Sequence, residues 1–404
     1  MTSLFPVSLP RFLYQALIGS LIGVLAGTAS AFFLAALAQI TAVREANPML
    51  LFGLPFAGLA LGILYERWGS TAGRGSHLVI EEINHNRSVI PARMAPLVLF
   101  GTLVTHLFGG SAGREGTAVQ MGASLADSLR RVLHLSLEDR RWILLAGLSG
   151  GFASVFGTPV AGVVFALEAP HAGRIRHWGL VPCLAAACIG DLVTRAWGVG
   201  HTHYPLMATT PIDSLLVLKI VLAALAFGLT SRLFIALTHA IKHHAAQITR
   251  LPVRLFIGGC LVIGLTLLMG TTAYNGLSLP LLQASVHEGD IPTFAFLAKL
   301  ILTAVTLGMG FMGGEVTPLF VIGATLGHTL GGILGLDPSW LAMIGFTAVF
   351  AGATNTPLAC TFMAVELFGG GSVLYVLIGC LIAYLASGQE SVYTTQAIDT
   401  PKYG

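Results

Sequence analysis

Apolar runs without a single charged residue recur along the chain, at residues 12–43, 142–167, 255–287 and 367–389. Each matches or exceeds the roughly 20 apolar residues that carry a helix across a bilayer. The pattern predicts an all-α polytopic membrane protein. The first run is too long for the apolar core of a secretory signal, is rich in Gly and Ala, and lacks an evident cleavage site, so it is expected to be retained. Glycine and proline interrupt many of the apolar segments, and 49 glycines point to close helix packing and half-spanning helices. Broken helices are tolerated at membrane depth only where protein or a water-lined cavity satisfies their freed backbone groups.

The chain also repeats itself. Residues 156–168 read F-G-T-P-V-A-G-V-V-F-A-L-E and residues 354–366 read T-N-T-P-L-A-C-T-F-M-A-V-E. Thr158, Pro159, Ala161 and Glu168 recur as Thr356, Pro357, Ala359 and Glu366, each 198 positions on. Upstream, G-A-S-L at 122–125 answers G-A-T-L at 323–326, and each follows a glycine-flanked glutamate, Glu115 and Glu315. Two related transmembrane halves are expected, 1–205 and 206–404, with no room after Ser391 for a cytoplasmic regulatory domain. Gly- and Pro-interrupted segments in corresponding positions of two halves point to a midplane ion site of the kind inverted repeats build.

Composition agrees. The chain is 55% hydrophobic and 10% charged, against about 25% charged in a soluble domain. Its net charge of +3 comes partly from two basic connectors, Arg130, Arg131, Arg140 and Arg141 in one and Lys242, Arg250 and Arg254 in the other. Positive-inside reasoning puts both in the cytoplasm. They are expected to be solvated, topology-setting faces, and without aromatic interleaving they give no sign of nucleic acid. The five cysteines lie in apolar stretches without C-x-x-C spacing, so small buried side chains are expected rather than a metal cage or disulfides. No H-E-x-x-H, Ser-His or paired-Asp constellation suggests an intramembrane enzyme, and no cofactor is expected. A scaffold without transport has no need of duplicated charged loops at membrane depth.

Those loops carry the candidate chemistry. Residues 109–122 read G-G-S-A-G-R-E-G-T-A-V-Q-M-G and residues 313–327 read G-G-E-V-T-P-L-F-V-I-G-A-T-L-G. Glycines let bare amides converge, and the helix start adds partial positive charge, so each loop suits an anion. A carboxylate at Glu115 can occupy the anion's own place and leave it on protonation, which ties gating to proton supply. Pro318 fits the first turn of a helix, with Glu315 beside the same dipole end. Glu168 and Glu366 are read as structural residues at helix ends, and His106 as a packing histidine bonded to backbone.

These stretches resemble the CLC superfamily of chloride channels and proton-coupled anion exchangers over nearly the whole chain. The family's G-R-E-G-P motif appears as Gly113, Arg114, Glu115, Gly116 and Thr117, and its G-x-F-x-P motif as Gly314, Glu315, Val316, Thr317 and Pro318. The tyrosine of its C-terminal helix looks like Tyr393 in S-V-Y-T-T. The family's G-S-G-I-P motif has the counterpart Gly73, Arg74, Gly75, Ser76 and His77. Matching glycines puts Arg74 at the anion-contacting serine; matching the acidic pair downstream puts Ser76 there, the favoured register, with amides of Gly75 to His77 available in either.

The departures, Thr117 for proline and Glu315-Val316 for a hydrophobic residue and phenylalanine, look like the fluoride-transporting branch. The resemblance implies a CLC fold of two inverted repeats in a homodimer of the cell inner membrane, exporting fluoride in exchange for protons, with chloride transport as the alternative. It makes Glu115 the gating, proton-carrying glutamate, Glu315 the branch's second functional glutamate, and Tyr393 an anion-path residue. Gly75, Ser76, Gly113, Arg114, Gly116, Thr117, Val316 and Thr317 are then the expected anion-binding positions. The inner proton-relay glutamate of the chloride exchangers is replaced by Ala169. Fluoride is small and strongly hydrated, so stripping its water takes several good donors, which convergent amides and a tyrosine hydroxyl supply.

Overall fold

The computed structural model describes residues 10–287, 289–398 and 401–402. The outermost ends of the two expected halves, residues 1–9 and 403–404, lie outside the described residues. Of the four uncharged runs, only the first makes one helix, α1 (Arg11–Ala46), whose 36 residues extend about 54 Å at 1.5 Å per residue. The others break where glycine takes a left-handed conformation, at Gly157 (φ 71°), Gly270 (φ 66°) and Gly369 (φ 78°). Beyond the first break Pro159 stands in the first turn of the next helix, where its missing N–H costs nothing. Six helical stretches among the described residues are long and apolar enough to cross a membrane.

Sixteen α-helices are described. The first eight are α1, α2 (Leu54–Trp68), α3 (Ser76–His85), α4 (Met94–Leu107), α5 (Glu115–Val132), α6 (Arg140–Phe156), α7 (Pro159–Glu168) and α8 (Leu180–Ala196). An irregular connection leads to α9 (Ser214–Ala245), α10 (Leu251–Met269), α11 (Leu279–Val286), α12 (Ala295–Gly308), α13 (Val316–Leu334), α14 (Pro338–Thr354), α15 (Pro357–Phe368) and α16 (Val373–Ala386). Lengths repeat with the sequence: α4 and α12 have 14 residues each, and α6 and α14 have 17 each.

The halves meet head to head. The Gly113 amide donates to the Gly314 carbonyl at 2.6 Å and the Gly314 amide returns the bond to Gly113 at 2.8 Å, an antiparallel bridge between the two glutamate loops. One turn further into the protein, α7 and α15 cap one another. The Glu168 carboxylate, at the end of α7, accepts from the amides of Leu358 (3.2 Å) and Ala359 (2.8 Å) at the start of α15. Glu366, at the end of α15, accepts from Val160 (2.9 Å) and Ala161 (2.7 Å) at the start of α7. First-turn amides have no partner inside their own helix, and a carboxylate also meets the positive end of the dipole. Each acidic end can serve the other's start only if the two helices run in opposite directions, as inverted repeats require.

Close crossings complete the frame. At α5/α6 Gly122 faces Gly147, and at α13/α14 Gly323 faces Gly345; a side chain at any of the four would overlap the partner's backbone carbonyl. Small residues thereby bring the glutamate-bearing helices against their neighbours. Between the halves lies an aromatic core in which Phe320 stacks on Phe346 at 4.0 Å and Phe152 on Phe165 at 4.6 Å. Cys183, Cys360 and Cys380 are buried, but Cys188 is half-buried and Cys260 exposed, contrary to the expectation for all five, because their turns of α8 and α10 lie toward the outer surface.

Candidate functional site

α10 starts, and α5 and α9 end, on the face of the two basic connectors. On that face opens a vestibule of about 310 Å³ lined by Arg74, His77, His239, Lys242 and Arg254, with Glu315 and Tyr393 at its inner wall. It is the first connector that departs from the expected solvated face: Arg140 is 2% exposed and pairs with Glu82 at 2.9 Å and Asp127 at 2.8 Å, and Arg130 is buried against Asp127, because these carboxylates hold the guanidinium groups inside. In the second, Lys242 and Arg254 both line the mouth, an arrangement suited to drawing in anions. Arg74 stands at this mouth, half exposed and ion-paired with Glu81.

The polar end of α3 lies deeper. Gly75 takes a φ of 56°, which turns the chain so that Ser76 opens α3 toward the interior. The Ser76 hydroxyl accepts from Gln120 Nε2 at 3.2 Å and lines a void of about 10 Å³ with Gly116, Val316 and Tyr393, room for about one water-sized particle. Phe152, Phe165 and Ala169 form its apolar side. A side chain at Gly116 would sit 3.8 Å from Ser76 Oγ, 3.7 Å from Glu315 Oε2 and 3.0 Å from Gly314 Cα. Bare backbone is thus required where the two halves and the first motif converge.

Glu115, the residue before Gly116, lines a separate void. It is 1% exposed, and its carboxylate rests on the start of α13, not on its own helix. Thr317 donates its amide to Oε2 at 3.0 Å and its hydroxyl across both oxygens at 2.6 and 2.5 Å. The Arg114 amide adds a bond at 3.2 Å, and Arg114 Nε stands 3.4 Å from Oε1. A side-chain anion thus fills an anion seat made of charge-assisted donors. Arg114, Thr202, Tyr204 and Phe320 enclose this second void, of about 10 Å³.

Glu315 behaves differently from its repeat partner. It stands at the N-cap position of α13 but makes no capping bond, and its Oε1 has no hydrogen-bond partner. The Tyr393 phenol reaches its carboxyl, and Glu115 is its charged neighbour on the inner side. Lys242 faces it across the vestibule. An unsatisfied carboxylate oxygen at the inner wall of the vestibule can take up a proton and present it as a donor.

Several expected residues sit elsewhere than the motif suggests. The Thr117 hydroxyl is turned to Thr102 of α4 at 2.7 Å, so only its backbone amide remains to serve an anion. The Gly113 amide is spent on the inter-half bridge; its role is to leave space, since a side chain there would meet Pro318 at 2.9 Å and Glu115 Oε2 at 3.0 Å. Tyr393 lies past the end of α16 in an irregular segment rather than on a helix. That segment folds back because Thr394 and Thr395 hold the His77 ring (3.1 Å) and carbonyl (2.8 Å). His106 sets both ring nitrogens on backbone carbonyls, Thr102 at 2.8 Å and Ala112 at 3.0 Å.

Motif reading missed Gln120, Thr202, Tyr204 and His239, and took His77 only for its amide. Of these only Gln120 had a signal, one helical face along α5 from Gly116. His77 belongs to α3, which is too short and polar to span. Burial, followed by the charges of Lys242, His239 and Arg74, pushes its imidazole down to about 4, so it is neutral at cytoplasmic pH.

A family model described as voltage gated chloride channel matches residues 57–388. The chain is 46% identical over 393 residues to the chloride/fluoride channel protein of Pseudomonas syringae pv. tomato, covering 96% of this chain and 87% of that one. It is 27% identical over 345 residues to the H(+)/Cl(-) exchange transporter ClcA of Vibrio cholerae, covering 80% and 73%. Among solved structures it superposes on a CLC-type fluoride/proton antiporter with a TM-score of 0.93, at 34% identity, covering 97% of this chain and all of the other. A slow cyanobacterial Cl-/H+ antiporter shares the fold, with a TM-score of 0.82 at 18% identity over 96% and 97% of the two chains.

Proposed function

The chain belongs to the voltage gated chloride channel family, and on that premise we propose that it exports fluoride from the cytoplasm in exchange for protons. It is a multi-pass membrane protein of the CLC type, a class of chloride/fluoride channels and proton/anion exchangers. The finer reading rests on one observation: two carboxyl groups of opposite character stand at successive openings, Glu315 on the vestibule and Glu115 on the second void. Glu115 is fully seated on donors, and Glu315 keeps an unpaired oxygen. The likeness to a fluoride/proton antiporter supports the choice of ion.

In this reading fluoride enters the basic vestibule and sheds water against Ser76, the Gly116 and Val316 amides and the Tyr393 hydroxyl. It then competes with the Glu115 carboxylate for the Thr317 seat. Protonation from the outer void neutralises Glu115 and weakens its hold on Thr317, because the charge-assisted bonds become neutral ones. The side chain then leaves, the anion passes outward, and Glu115 delivers its proton inward by way of Glu315. We assign the two halves to 1–205 and 206–404, the protein to the cell inner membrane, and the working unit to a homodimer.

The test is purified protein in liposomes, with fluoride efflux and proton uptake recorded together and chloride efflux in parallel. Fluoride movement against its gradient, driven by a pH gradient, is the expected result. Chloride moving as readily as fluoride would overturn the ion assignment, and fluoride flux without proton uptake would overturn the exchange.

A further inference from the structure

On the face opposite the basic connectors, the last turn of α1 and residues 272–281 enclose a cavity of about 430 Å³ that the ion path does not use. Arg44 lines it beside Glu45, and a second basic residue, Lys299, lies behind Ser278. The Arg44 side chain is 14% exposed; its Nη1 packs against Gly276 without a hydrogen-bond partner, and Nη2 pairs with Glu45 at 3.2 Å, a residue more than half exposed. Lys299 is fully buried. It donates only to neutral oxygens, the carbonyls of Tyr274 (3.1 Å) and Gly276 (2.7 Å) and the hydroxyl of Ser278 (2.9 Å), and Arg44 is its charged neighbour. Ser278 lines the cavity, so both positive charges bear on it. Buried cations without an anion are costly, and an anion in this cavity removes that cost.

The rest of the lining says which kind of anion. Leu51, Leu277, Leu279 and Leu281 form apolar walls, and Val43, Met49 and Phe52 flank the same segment as exposed apolar residues at 49%, 75% and 46%. An opening of that composition lies at the level of lipid. We propose that this cavity binds the phosphodiester headgroup of an acidic membrane phospholipid. The phosphate takes a bond from the Arg44 guanidinium, whose Nη1 has no partner in the protein, while the first carbons of the acyl chains lie along the leucines.

The site reaches the gate through residues 274–276. Asn275 Nδ2 donates to the Gly109 carbonyl at 2.6 Å, the Gly276 amide to the Gly110 carbonyl at 3.1 Å, and the Ser111 hydroxyl to the Tyr274 carbonyl at 2.9 Å. Gly109, Gly110 and Ser111 open the loop that carries Glu115. A lipid that immobilises this turn therefore stiffens the gate from behind.

The experiment is thermal unfolding of the detergent-purified full chain with added short-chain phosphatidylglycerol, phosphatidylcholine or inorganic phosphate. Phosphatidylglycerol is expected to raise the midpoint by a few degrees, in proportion to the logarithm of its concentration once saturating; the other two are expected to leave it unchanged. Arg44→Gln is expected to abolish the shift, as is Thr41→Trp, which fills the cavity and leaves both cations in place. A full shift in both variants, an equal shift with phosphatidylcholine, or the same shift with inorganic phosphate alone overturns the lipid site. No ion movement enters this readout, so its failure is separate from failure of the fluoride reading.

Discussion

The Glu115 carboxylate of the first half is held by Thr317 of the second, whose amide and hydroxyl donate to it at 3.0 and 2.5 Å. One residue from each side of the chain thus makes half of this contact, which in the proposed mechanism is the gate. The seat is a helix N-terminus occupied by the protein's own carboxylate; in the proposed mechanism a transported anion competes for the same donors.

Thr317→Val removes the hydroxyl and keeps the amide. A hydrogen bond to a charged group contributes about 1.5–3 kcal/mol, so the closed state should weaken by roughly tenfold or more. The expected outcome is faster passive fluoride leak and a lower proton-to-fluoride ratio in liposomes, both restored by Thr317→Ser. Glu115→Gln, which cannot carry a proton, should keep fluoride flux and lose proton uptake altogether. Pumping by either variant at the parental ratio would remove this pair from the gate.

Glu315 is expected to matter for the ion rather than the fold, since it makes no cap on α13. Glu315→Ala should abolish fluoride transport or its proton coupling while size-exclusion profile and unfolding midpoint stay close to the parent. Tyr393→Phe should lower flux more mildly, by about 1 kcal/mol of lost donor. Parental efflux and proton uptake in Glu315→Ala would leave fluoride without a residue basis here and favour chloride.

The Glu168 and Glu366 exchange is expected to be structural. Either residue changed to Ala leaves two helix-start amides unpaired, at about 1–3 kcal/mol each way, with the larger loss at Glu168, which is 4% exposed. Unfolding midpoints should fall and the transport ratio should not move. A changed ratio at an unchanged midpoint would make one of them part of the proton route.

His77 supplies a pH signature. Its native value near 4 lies below the ordinary 6.5, so between those values the unfolded chain holds a proton that the native protein does not. Stability tied to neutral His77 is complete above about pH 6.5 and is lost as pH falls toward 4. Unfolding midpoints compared at about pH 7 and pH 5 should drop less in His77→Gln than in the parent; equal drops would mean that other groups govern the acid limb.

Most of the scaffold could be read along the chain, because its signals are local. Uncharged length marks apolar helices, although the break at residues 157–159 inside one such run was visible only as Gly157 and Pro159 and was decided by the structure. A 198-residue offset between T-P-x-A motifs marks two related halves. The glutamate loops were legible for the same reason, since a glycine-flanked carboxylate before a small-residue helix is a pattern within a dozen positions. What only the tertiary structure decided is who faces whom. Thr117 sits inside the motif yet bonds Thr102, while Thr317, 202 positions from Glu115, provides its seat. Ser76 rather than Arg74 lines the void, because the positive φ at Gly75 turns the helix start inward. Lys242 and Arg254 converge on the mouth only when α9 and α10 fold together, and Lys299 finds its three oxygens in a turn more than twenty residues earlier. Hydrophobic length and turn chemistry act between neighbours in the chain; donors, charges and voids are shared between segments that meet only after the inverted halves have packed.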